Sequence, residues 1–197
     1  MKLSFTPLVA AATVIGGALA ALTPAQVVTN VGIVTTTSGN LNTVLGGLST
    51  SSSPAVVAST SQTVVTDFTT IVNALVADAA AMAATEPFDD ADAQPVVNAL
   101  DEFVAVHQTL LSTVLSKHSI FAQFQVTAPI VAVLSDLEDE IDTFALAMIN
   151  LIPTETPSVQ NDQSTLDTAV GNTITTYKES CTPSPLYPIV LPVCIPA

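Results

Sequence analysis

The sequence predicts an all-α protein: an elongated, antiparallel five-helix bundle followed by a Pro-rich, non-helical C-terminal tail. Three observations carry this. Residues 129–153 read PIVAVLSDLEDEIDTFALAMINLIP, with Ile130, Leu134, Leu137, Ile141, Phe144, Met148 and Leu151 at a strict 4-3-4-3 spacing and acids between them. That is the period of a helix with one apolar stripe and one acidic back. Second, Thr23-Pro24, Ser53-Pro54, Gln94-Pro95, Ala128-Pro129 and Thr156-Pro157 each precede an apolar-periodic run, and proline suits the first turn of a helix. Third, the loops are short and polar and strand signals are scarce, so successive helices are expected as antiparallel neighbours.

In chain order, residues 1–20 (MKLSFTPLVAAATVIGGALA) read as a secretory signal cleaved before Ala21, with a signal anchor as the competing reading. The bundle is assigned to residues 21–180 and the tail to 181–197. Helix one, from Pro24 to about Leu48, aligns Val27, Val31, Val34, Leu41, Leu45 and Leu48. Gly32, Gly39 and the Thr35-Thr36-Thr37 run weaken it, and a strand over residues 28–37 is the alternative. Helix two, from about Val56 to Ala84, carries Val64, Phe68, Ile71, Leu75 and Met82. Helix three, about residues 92–118, carries Val96, Leu100, Phe103, His107, Leu110 and Val114. Helix four is the stretch quoted above, ended by Pro153. Helix five, about residues 158–179, carries Leu166, Val170, Ile174 and Tyr177. Prolines at 183, 185, 188, 192 and 196 exclude helix from the tail, which is expected to be extended and partly ordered.

Charge narrows the function classes. Without Lys2 the formal charge of −14 becomes −15, with Lys117 and Lys178 as the remaining cations and no arginine. Nothing is present to neutralise phosphates, so no nucleic-acid partner is expected. Adhesion to anionic membranes through a basic patch is excluded for the same reason. Beyond the leader no stretch of about 20 residues is apolar all round, so the mature chain is not expected to be transmembrane. Cys181 and Cys194 are expected to pair as a disulfide in an oxidising compartment, closing a Pro-rich loop.

Catalytic signatures are missing. His107 and His118 recur on nearly one helix face but lie about 16 Å apart along the axis, too far to share a metal. The acids at 136, 138, 139, 140 and 142 crowd one helix without a calcium loop and read as a solvated face. There is no G-x-S-x-G elbow, phosphate loop or H-E-x-x-H motif. No catalytic residue, metal site or cofactor is expected, and the chain does not read as an enzyme. Broad stripes of Val and Ala with 5% aromatics fit either a packed core or a cavity.

Several segments carry a resemblance: VVTDFTTIVNAL (64–75), LLSTVLSKHSIF (110–121), FALAMINLIP (144–153) and LDTAVGNTITTY (166–177). Together with the leader and the helical pattern, they resemble the fungal hydrophobic surface-binding proteins and cell-wall galactomannoproteins. The resemblance implies a secreted or wall-associated non-enzymatic bundle that binds a fatty acid or other apolar ligand, or adsorbs to a hydrophobic surface and brings a secreted hydrolase to it. It makes Phe68, Leu75, Leu100, Phe103, His107, Leu110, Leu134, Leu137, Phe144 and Met148 the candidates for lipid contact. With so few cations, a bound carboxylate would rest on neutral donors. Binding is expected to improve near the isoelectric point of about 4.1. The other reading is a structural, O-glycosylated wall mannoprotein with a fully packed core; a hydrolase is the third.

Overall fold

The computed structural model describes residues 21–196, so the expected leader at 1–20 lies outside the described residues. Among these residues there are six α-helices rather than five: α1 (Pro24–Gly46), α2 (Pro54–Ala83), α3 (Asp90–Ser116), α4 (His118–Gln123), α5 (Thr127–Leu151) and α6 (Thr156–Tyr177). A single 3₁₀ turn, Pro153–Glu155, links α5 to α6.

α1 is helix, not the alternative strand. Thr23 and Gln26 form a reciprocal cap: the Gln26 N–H donates to Thr23 Oγ1 at 3.3 Å and the Thr23 N–H to Gln26 Oε1 at 2.8 Å. The threonine run does not break the helix, because each hydroxyl donates to the carbonyl one turn back. Thr35, Thr36 and Thr37 reach Val31, Gly32 and Ile33 at 2.8–2.9 Å. Burial of Val27, Val31, Val34, Leu41 and Leu45 along one stripe then outweighs the weak propensity.

Two of the proline signals were misplaced. α3 starts at Asp90, where the Asp89 carboxylate accepts from the Ala91 and Asp92 N–H groups at 3.1 and 3.0 Å. Pro95 therefore lies inside the helix. In α5 proline is the third residue, after Thr127 and Ala128. α4 was not foreseen. α3 stops at Lys117, whose N–H is shared between the Thr113 and Val114 carbonyls. One short helix follows before Gln125, with a left-handed φ of 57°, turns the chain into α5.

The five long helices close into a ring in the order α1, α2, α5, α6, α3. Chain direction alternates, but ring neighbours do not. Lys117 Nζ donates to the Leu48 carbonyl at 2.8 Å and Tyr177 Oη to the Val114 carbonyl at 2.6 Å, so α1, α3 and α6 all finish at one end. α2 and α5 start there, where Ser61 Oγ meets the Val126 carbonyl at 3.4 Å. The expectation that successive helices are antiparallel neighbours thus holds for α1/α2 and α5/α6 and fails for α2/α3 and α3/α5, which do not pack together; α1/α3, α3/α6 and α2/α5 are parallel neighbours instead. Short loops can only reverse the chain, and the parallel pairs arise because α2 and α3, though consecutive, do not pack together. Three helices running one way face two running the other, with the core between.

α2 is long and apolar enough, by length and composition, to cross a membrane. One stripe of it, Val57, Val64, Phe68, Ile71, Leu75 and Met82, is buried within the ring, while Val56 and Val76 are exposed. The tail contains a short pair of strands. β1 (Ser180–Thr182) and β2 (Val193–Ile195) pair antiparallel with Cys181 opposite Cys194, and a disulfide joins them.

Candidate functional site

At the centre of the ring α3 turns His107 inward, fully buried at 0% exposure. Its Nδ1 lies 2.9 Å from Ser38 Oγ of α1. Phe68 of α2 presents an edge to the imidazole at 6.0 Å, and Phe103 lies beside it at 5.1 Å. Nε2 has no hydrogen-bond partner. Burial pulls the pKa down to about 4, so the ring is neutral at and above pH 5. A serine within hydrogen-bond reach of a histidine is the start of a catalytic dyad. Here the histidine is a weak base, no acid orients its second nitrogen, and both side chains are shut from solvent. The pair is better read as a satisfied polar contact with one spare nitrogen in an apolar interior.

One turn further down, α2, α3, α5 and α6 leave a cavity of about 20 Å³ between them. Leu75, Leu100, Phe103, Val104, Ile141, Phe144, Ala145, Val159 and Leu166 line it, with Asp162 and Gln163 at its edge. Such a space holds about one water, against roughly 300–1,000 Å³ for ligand pockets in general. The edge is polar for identifiable reasons. Burial, and then the Asp101 carboxylate beside it, push the Asp162 carboxyl up to about 6. Gln163 Nε2 donates to Asp142 Oδ1 at 2.6 Å, pinning α6 to the acidic face of α5.

All ten residues proposed for lipid contact are buried in the interior. The cavity gathers four of them: Leu75, Leu100, Phe103 and Phe144. Phe68, His107, Leu110, Leu134, Leu137 and Met148 lie in the closed core outside its lining. Sequence reasoning missed Asp162, Gln163 and Val159. Extending the α6 stripe backwards from Leu166 by four and then three residues reaches Asp162 and Val159, so an acid standing in an apolar stripe was the available signal. Two open grooves of about 420 and 520 Å³ run along the outside between α2 and α5. They are shallow and partly lined by Thr, Ser, Gln and Glu.

At the end where α3 and α6 finish, Cys181 Sγ lies 3.8 Å from His118 Nε2. The fold thus brings a histidine from the start of α4 beside the cysteine pair. With Glu179, these groups form the one convergence of metal-type ligands among the described residues. The disulfide occupies both sulfurs, so they are not available as thiolate ligands.

The model of the family described as "hydrophobic surface binding protein A" matches residues 24–150, well over half of the chain. The protein belongs to the hydrophobic surface binding protein A family. The match covers α1 to α5, stopping one residue short of the α5 end. Two closures of this hydrophobic surface binding protein A member, α6 over the cavity and the disulfide-linked tail, lie beyond it. A solved structure with the same fold is the crystal structure of Afmp4p in complex with palmitic acid, at a TM-score of 0.70 and 15% identity over 79% of this chain and 99% of that one. No curated protein matches the sequence significantly.

Proposed function

We propose that this family member is a secreted, non-enzymatic binder of apolar matter, which takes a single-chain amphiphile such as a fatty acid between its helices and adsorbs to hydrophobic surfaces. The observation that carries the first half is the seam between α2, α3, α5 and α6. Its lining is aliphatic and aromatic apart from two adjacent polar residues of α6, Asp162 and Gln163. That is the pattern an amphiphile needs: a dry slot for the chain and hydrogen-bonding groups for the head. The shared fold of a palmitic acid complex makes palmitate the natural probe.

Burial at ~0.8 kcal/mol per methylene supplies about 10 kcal/mol for a 16-carbon chain before ordering costs. A cavity of about 20 Å³ does not admit such a chain, so α6 and α5 must part to receive it. Below pH 6 Asp162 carries a proton and can donate to a carboxylate head; above it, two carboxylates already crowd the edge. Loading is therefore expected to be stronger at pH 4.5 than at pH 7.5. The check is native mass spectrometry of detergent-free protein mixed with palmitate at both values. A one-to-one adduct more abundant at the lower pH supports the reading. No adduct at either pH, together with no adsorption to an alkyl-coated surface, sinks it. Recruitment of a secreted hydrolase belongs to the same reading, and is read as faster hydrolysis of an insoluble ester after precoating with the protein.

The near-closed core favours one alternative, a structural wall mannoprotein whose Ser and Thr hydroxyls carry glycans. Dense O-linked mannose on native material that takes up no lipid would decide for it.

A further inference from the structure

The two ends of the bundle differ in charge, and one of them is capped by an apolar loop. The tail packs on α4 at the end where α1, α3 and α6 finish. Gln123 holds Ser184 through both its amide groups, donating to the carbonyl at 3.1 Å and accepting from the N–H at 2.8 Å. Phe124 meets Tyr187 edge-on at 5.9 Å. Anchored there, and closed by the disulfide, the loop turns Leu186, Ile189, Val190, Leu191, Val193 and Ile195 outward. Ile189 is 90% exposed. Half of the large apolar side chains that the described structure leaves exposed are in this one segment. Clusters of this kind mark interaction sites, whereas scattered exposed residues do not.

Charge indicates what the cluster faces. No residue from 180 to 196 is charged. Among the described residues Lys117, Lys178 and Glu179 are the only charged side chains at the tail end, a net of +1, and the other 16 acids lie further down the molecule. The nearest of these along its helix, Asp136, is nine residues into α5, about 14 Å from that end. The molecule is thus a rod with an uncharged, apolar tip and a strongly acidic body.

We infer that the disulfide-closed tail is the contact element through which the protein stands end-on on an uncharged, hydrocarbon-like surface. The inference rests on the surface-adsorbing half of the reading above and places the contact outside the segment matched to the family. The loop itself carries no charge, and the two lysines beside it, offset by Glu179, leave a net of +1, far short of the basic cluster that holds anionic head groups. A second copy is a poorer fit: stable protein interfaces use roughly 20–30 residues a side, more than a loop closed over a sequence separation of 13 provides. Holding the loop in shape beforehand spares the ordering cost that a free tail would incur on adsorption.

Adsorption to an alkyl-coated, uncharged sensor tests this with two variants carrying the same added charge. Ile189→Asp alters the tip, and Ile33→Asp alters a 58% exposed residue on the side of α1. Circular dichroism and palmitate uptake check that both keep the bundle intact. The expected result is at least a tenfold loss of affinity for Ile189→Asp and a wild-type response for Ile33→Asp. Equal losses, or none for Ile189→Asp while the unaltered protein adsorbs, overturn the end-on contact and leave the binding reading standing. An unaltered protein that does not adsorb overturns the surface reading itself. Sedimentation covers the remaining occupant: self-association that Ile189→Asp abolishes, with adsorption unchanged, assigns the tip to a second copy and overturns the inference. Equal or stronger binding to anionic vesicles than to the alkyl surface overturns it as well.

Discussion

His107 and Asp162 titrate in opposite senses because each is buried in the form it must keep neutral. The histidine's pKa is lowered to about 4 from 6.5 in the folded state, so the stability it contributes is present above pH 6.5 and lost as pH falls towards 4. The Asp162 carboxyl is raised from 3.8 to about 6, so its contribution is complete below pH 3.8 and lost as pH rises through 6. The two slopes oppose each other between pH 4 and 6. Replacing Asp162 by Asn removes only the second slope. Relative to the wild type, the variant is expected to gain stability from pH 4 to pH 7. The full shift of about two units is worth roughly 3 kcal/mol, and solvent at the seam edge reduces it to about 1–2 kcal/mol. Urea midpoints at pH 4, 5, 6 and 7 measure this directly, and a constant offset between the two proteins would refute it. At this scale the site was half legible. The stripes named Leu75, Leu100, Phe103 and Phe144, because apolar periodicity reports burial. They did not name Asp162 or Ser38, because a polar residue inside a stripe looks like noise until its partner from another helix is in view.

Helices α1, α2, α3, α5 and α6 were read within a few residues because each buries one long stripe over several turns. The element that escaped was α4, six residues with no period to detect and no capping side chain. It matters structurally, since it ends at Gln123 and is followed by Phe124, and these two hold the tail. Its exit depends on Gln125, a non-glycine residue at φ 57°. Side chains branched at Cβ fit that region worst, at about 1–2 kcal/mol, whereas glycine is free of the clash. Gln125→Val is therefore expected to destabilise the protein by about 1–2 kcal/mol and Gln125→Gly to be neutral or slightly stabilising, as read by thermal unfolding. Valine tolerated as well as glycine would mean that the turn is not held in this conformation in solution. The antiparallel expectation failed for a different reason. Loop length decides whether consecutive helices reverse direction, but the choice of packing partner is made by the shapes of stripes that no single segment contains.

Over the whole molecule, the separation of an apolar tip from an acidic body makes adsorption a problem in lateral repulsion. Molecules standing side by side on a surface bring their acidic bodies together, each with a formal charge of −14 at neutral pH. The tip itself feels little of this, being uncharged. Affinity of the first molecules should thus vary weakly with salt, while the final coverage should vary strongly. At pH 7.5 and about 0.01 M salt the screening length is near 30 Å, wider than a helical bundle; at about 0.15 M it is near 8 Å, and neighbours can close up. Saturating coverage on an alkyl surface is expected to rise several-fold between those two conditions at pH 7.5. It should change little at pH 4.5, close to the isoelectric point of about 4.1. A quartz microbalance separates the two quantities, since initial binding and plateau mass are read from one trace. A plateau at pH 7.5 that ignores salt would mean that the acidic bodies do not stand beside one another, and that the protein lies flat.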